Sequence, residues 1–163
     1  MKRLVGNKRM QREKEKPTPL HIKIDQLLTE ARVIIPGAQA LLGFQLTVTL
    51  TRSFEQLSTT SRLIHVAALC CVATAVILLM TPAALHRISY AGEDSASFFR
   101  MGSGFVIAAT VPLALGIAGD VYVATAKAGE SIALGAALAL ATFAIVGSLW
   151  YVLPVLIRRS KER

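Results

Sequence analysis

Charge is scarce in this chain. Only 17% of its 163 residues are Asp, Glu, Lys or Arg, against about a quarter in soluble domains, where charge is spread over the surface. The charges are also clumped, which leaves residues 33–51, 63–85, 102–126 and 132–157 nearly free of them. A water-soluble bundle needs polar faces to cover its outside, and these stretches supply none. Cysteine is limited to Cys70 and Cys71. As neighbours they have neither zinc nor redox spacing, so small apolar packing groups are the reading left for them. A glycine-rich phosphate loop, HExxH and GxSxG are all missing. The three histidines, His21, His65 and His86, make no metal-ligand pattern. The chain is therefore expected to be no enzyme and to carry no cofactor or metal. A cleavable signal is missing too: the first apolar stretch comes after about thirty residues and is far longer than a signal core, so it should be retained as a span.

What is present is hydrophobic length. Mean hydropathy is +0.53, and each stretch is long enough for a ~30 Å hydrocarbon core at about 1.5 Å per residue. The sequence thus predicts an all-α membrane protein, a bundle of four transmembrane helices. The net charge of +8 invites a nucleic-acid reading, but its distribution argues against one. Basic residues crowd the N-terminal tail, Arg87 and Arg100, and the last six residues, whereas the 52–62 and 127–131 connections hold only Arg52, Arg62 and Lys127. That bias is the positive-inside pattern. It places both termini and the 86–101 connection in the cytoplasm, with anionic lipid headgroups as the partner of the basic tails.

Residues 1–17 read as a disordered basic tail. Thr18-Pro19 offers a cap followed by proline in the first turn. Leu20, Ile24, Leu27, Leu28, Ala31 and Ile35 then recur at helical spacing opposite Lys23, Gln26 and Glu30, which predicts an amphipathic interfacial helix leading into the first span. One membrane domain covers 18–157, and 158–163 is a basic tail. Ser58–Ser61 and the Gly92–Ser95 segment supply turns and caps for the second and third helices. Gly129 should end the third helix, with Glu130 in the first turn of the fourth. Each helix contains one proline, Pro36, Pro82, Pro112 and Pro154, and each proline is a candidate kink. Small-residue ridges (Ala133, Ala137 and Ala141; Gly135 and Ala139; Gly102, Gly104, Gly116 and Gly119) permit close helix packing within or between protomers.

Asp120 is the one acidic residue deep in a span, about six residues or ~9 Å from the outer end of the third helix. A carboxylate there needs a proton, water or a partner. The sequence favours an ion pair with Arg52 or Arg62 over proton or ion handling. His65 begins the second span and fits either an interhelical hydrogen bond or a proton relay with Asp120. Gln39 lies in the first span, and Gln45, Thr49 and Arg52 form a stripe toward its outer end, a polar face for the bundle interior or a subunit interface. Glu30, Arg32, His86 and Arg87, with Glu93 and Asp94, are expected to form a cytoplasmic ion-pair network of small energetic weight.

The segments LLTEARVIIPGAQALLGFQL at 27–46, FEQL at 54–57 and MTPAALHR at 80–87 resemble a family of small, functionally uncharacterised bacterial four-helix membrane proteins, over roughly residues 25–125. The resemblance implies the same architecture in a bacterial cytoplasmic membrane. It singles out Glu30, Arg32, Pro36, Gln39, Gln45, Glu55, Pro82, His86 and Arg87 as motif positions. Some members carry a sodium:proton antiporter label, but this chain is far too short for the inverted repeats usual in such antiporters. Two functions stay open: an oligomeric ion or proton channel or ion-coupled transporter, toward which the reading leans, and a non-transporting scaffold or accessory subunit.

Overall fold

The computed structural model describes residues 18–162, so the expectation for the 1–17 tail falls outside them. The structure is 88% helix, with no strand among the described residues. Its elements are α1 (Leu20–Thr49), the single-turn α2 (Arg52–Glu55), α3 (Thr59–Ile88), α4 (Ala96–Ala128), α5 (Ile132–Gly147), a π-helical segment (Ser148–Val152) and α6 (Leu153–Lys161). Four helical runs are long and apolar enough to cross a membrane: α1, α3, α4 and the continuous run Ile132–Lys161. The chain is a multi-pass membrane protein on this ground. Its outer surface agrees, because side chains such as Leu50 (88% exposed), Phe44 (71%) and Leu140 (70%) stand outward. In water such a surface would drive aggregation.

Helix starts follow cap chemistry. The Ser58, Ser95 and Ser131 hydroxyls accept the backbone N–H of Ser61, Phe98 and Leu134 and so begin α3, α4 and α5. Two expected boundaries move. α1 starts at Leu20 with Pro19 as its cap residue and no side-chain cap bond. Glu130 lies in the turn before α5 with a left-handed φ of 48°, because Ser131 is the better cap. In the α3–α4 connection Gly92 takes φ 84°, which glycine adopts without Cβ strain. Its N–H reaches back to the His86 carbonyl.

α1, α3 and α4 form the packed core, with α3 and α4 making the longest contact and α1 lying mainly on α3. Ala38, Val76, Leu79 and Ala109 meet at its centre. Small residues set the α3–α4 distance. A Cβ on Gly116 would lie 2.5 Å from Val72 Cγ2, and one on Gly119 2.8 Å from Ala68 Cβ. With no hydrophobic drive between helices in lipid, such close packing is what holds a bundle together. The expected four-helix bundle is accordingly uneven, because α5 packs on α4 and Gly135 is its single buried residue. Gly135 seats against Ala126, while Ala133, Ala137 and Ala141 are exposed.

Threonine hydroxyls in the spans bond back to their own helices, Thr74 to the Cys70 carbonyl and Thr142 to Leu138. No lipid-facing polar group is left unsatisfied at these positions. Pro36, Pro82 and Pro112 lie inside unbroken helices. Pro154 instead is the second residue of α6, with only Leu153 between it and the π-helical segment. It cannot donate to the Trp150 carbonyl, and the wider turn accommodates its ring.

Candidate functional site

The polar residues of the spans gather where α1, α3 and α4 approach the 50–58 and 129–131 connections. Gln45 is four residues from the end of α1, His65 lies early in α3, and Asp120 is two turns before the end of α4. Gln45 and His65 are each only 3% exposed. The Gln45 Nε2 donates to Asp120 Oδ2 at 2.7 Å. The Gln45 backbone carbonyl accepts from His65 Nε2 at 3.0 Å. A carbonyl oxygen only accepts, so His65 carries its proton on Nε2 here. Phe54 of α2 closes over the His65 ring edge-on, with centroids 5.4 Å apart. The approach depends on the glycines beside Asp120: Gly116 and Gly119 let α3 lie against α4 and bring His65 to the level of the carboxylate.

Beside this cluster is a cavity of about 390 Å³, a crevice between α1 and α4. α1 supplies Leu41, Phe44 and Val48, α4 supplies Val123 and Ala124, and Phe54 and Leu57 cover the end. Gln45, His65 and Asp120 form its polar wall, and the exposed Ser53 and Lys127 are the other polar side chains on its lining.

Of the sequence candidates, Asp120, His65 and Gln45 are brought together and the others are not. Gln39 is exposed on α1. Arg52 is exposed as well, because α1 ends at Thr49 and the chain turns before Arg52 begins α2. The stripe drawn through Gln45, Thr49 and Arg52 is therefore broken by the helix end. The expected ion pair of Asp120 with Arg52 or Arg62 is replaced by the Gln45 amide: among the described residues Asp120 has no ion-pair partner. The set expected to form a cytoplasmic ion-pair network also differs from expectation. Glu30, Arg32 and Arg87 are exposed and unpaired among the described residues, and only His86 approaches Asp94, at 3.9 Å. Apolar contact joins α1 to the α3–α4 turn instead, with Ile24, Leu27, Pro82 and Phe98 buried there. The Phe98 ring lies between those of His86 and Tyr90. Burying such groups outweighs exposed ion pairs, each worth at most about 1 kcal/mol.

Phe54, Leu57 and Lys127 are site residues that the sequence reading did not single out as such. The signal for the first two is faint, an aromatic and a leucine three apart in an otherwise polar connection. No group of three or more His, Cys, Asp or Glu side chains among the described residues is placed to hold a metal ion. The arrangement offers one carboxylate, one amide and one imidazole facing an apolar crevice, which suits binding a cation or relaying a proton.

No curated protein and no solved structure matches the chain. A family model does match, over residues 16–154, which takes in all the described helices up to Pro154. The chain thus belongs to DUF6328, a family of unknown function.

Proposed function

We propose that this protein is an oligomeric membrane transporter or channel in which Asp120 binds and releases a proton or monovalent cation. One observation carries the reading: Asp120 lies inside a span, bonded to the Gln45 amide and free of an ion-pair partner among the described residues, on the wall of a cavity. A carboxylate kept in an apolar span without a structural counter-ion is a functional group by default. A salt bridge to Arg52 would have given it a purely structural role.

The Lys/Arg bias supports an orientation with both termini and the 86–101 connection inside, which sets Asp120 in the outer half of the bilayer. α1 has 30 residues, about 45 Å at 1.5 Å per residue, more than the ~30 Å core requires. The surplus, about 15 Å or some ten residues, supports an interfacial amphipathic start to α1 that overlaps the beginning of the span. The family resemblance of the 27–46, 54–57 and 80–87 segments supports a bacterial cytoplasmic membrane. Four helices with one peripheral member enclose no complete pathway, so a second copy would supply the rest. The missing nucleophile and metal constellations support a non-enzymatic role.

The test is flux into liposomes holding the purified protein. Wild type should pass protons or monovalent cations, and Asp120→Asn should reduce the rate to that of protein-free vesicles. Tight wild-type vesicles would overturn transport. They would leave a scaffold or accessory-subunit role, which the sparse burial of Ile132–Lys161, 6% of its most apolar window, supports. That role predicts co-purifying membrane partners instead.

A further inference from the structure

The crevice beside Asp120 holds more than a proton site needs. A bare proton relay requires a carboxylate and a chain of hydrogen-bonding groups, whereas here about 390 Å³ of space lies against them. That volume is in the range of pockets that enclose small organic molecules. Most of its wall is apolar, from Leu41, Phe44, Val48, Phe54, Val123 and Ala124.

The polar wall is selective in kind. The Gln45 amide has spent its N–H on Asp120, and facing a carboxylate fixes which end of the amide carries the nitrogen. The Gln45 Oε1 is buried and has no hydrogen-bond partner among the described residues. His65 has spent its Nε2 proton on the Gln45 backbone. What remains along this wall is acceptor capacity: the lone pairs of Asp120, only one of whose oxygens is engaged by Gln45. A carboxylate in an apolar span with lone pairs left over calls for a further donor, so the site is incomplete until one fills it. An anionic head would meet Asp120, and a neutral apolar guest would leave its lone pairs bare. A hard metal ion would find too few oxygens, since such ions take about six or more.

We propose that the crevice binds a lipophilic organic cation, its ammonium N–H groups on the Asp120 carboxylate and its apolar body against Phe44, Phe54 and Val123. The aromatic faces add cation–π attraction to the head. Lys127 is the one like-charged side chain on the lining, seven residues beyond Asp120 and so about 10 Å along α4. Lys127 is exposed, and a lysine stem of that length lets its ammonium stay in water. Because α1 and α4 both span the membrane, the gap between them opens sideways, and the guest enters from the lipid leaflet. This rests on the reading of Asp120 as a cation-handling group and names the class of cation.

The experiment is equilibrium binding of 4-phenylbutylammonium to the full chain in nanodiscs, measured against empty nanodiscs. The uncharged 4-phenylbutanol and the anion 4-phenylbutyrate serve as matched probes. Saturable binding of the ammonium alone is expected, weakened more than tenfold in Asp120→Asn. Val123→Trp, which keeps the carboxylate and fills the crevice, should abolish it. Equal uptake of all three probes, or ammonium binding that survives Val123→Trp in a protein that still elutes as folded, would overturn the proposal. Proton or sodium flux measured on the same preparations separates the two readings. Asp120-dependent flux of inorganic ions without ammonium binding refutes the organic ligand and leaves transport standing. Saturable, Asp120-dependent binding without flux of any ion or of the ammonium supports the site and refutes transport.

Discussion

Gly135 and Gly104 both sit inside helices of the membrane domain, and their surroundings differ sharply. A Cβ on Gly135 would lie 2.6 Å from Ala126 Cβ and 3.0 Å from Ala126 Cα, whereas one on Gly104 would meet nothing within 4 Å. Backbone cannot move aside as the tip of a side chain can. Gly135→Ala should therefore lower stability by about 1–3 kcal/mol through overpacking. Gly104→Ala should be neutral or raise it by at most about 1 kcal/mol through helix propensity. SDS-induced unfolding in mixed micelles measures both, and equal effects would refute the α4–α5 contact. The sequence marked these glycines as one set of ridges and had no means of telling a packed position from an open one. Polar residues show the same limit. Gln45 and Asp120 were legible because an amide or carboxylate in an apolar run needs a partner. Gln39 looked alike and is exposed, since the face it occupies depends on how α1 rotates against α3.

At the scale of elements, the last transmembrane run is the least regular. α5 gives way to the π-helical Ser148–Val152 just before Pro154. The shift in register turns Tyr151 toward α4, where its hydroxyl meets Thr110 Oγ1. This is the one hydrogen bond between side chains of α4 and the far half of that run among the described residues. Its removal should be felt as coupling: in a double-mutant cycle of Thr110→Val and Tyr151→Phe the interaction term should be on the order of 0.6 kcal/mol, the usual size for such bonds in membranes. Strict additivity in the same SDS titration would show that the two hydroxyls do not act together. Pro154 was legible as a break in regular hydrogen bonding. The π turn was not, because whether a proline bends a helix or widens a turn is settled by what the following side chains can reach. That four helices are long and apolar enough to span was legible, since hydrophobic length alone marks them, and the expected caps of α1 and α5 shifted by the residue or two over which helix ends compete.

At the scale of the molecule, the uneven bundle points outward. α1, α3 and α4 bury one another, while α5 rests on α4 and leaves Ala133, Ala137 and Ala141, one helical turn apart, on its open side. The sequence showed that this ridge permits close approach but could not say whether the approach was internal; with Gly135 already seated on Ala126, a second protomer is the partner the proposed oligomer would place there. Disulfide trapping in membranes tests this. With Cys70 and Cys71 replaced by Ser, Ala137→Cys should give crosslinked dimers on mild oxidation. Ile77→Cys, exposed on α3, should stay monomeric. Introducing Ala141→Leu beside Ala137→Cys should cut the dimer yield severalfold, because a branched side chain holds the backbones apart where alanine lets them touch. Dimers from Ile77→Cys alone would move the interface to α3. Equal yields from both positions would reveal chance collision in the bilayer and remove α5 as the protomer interface.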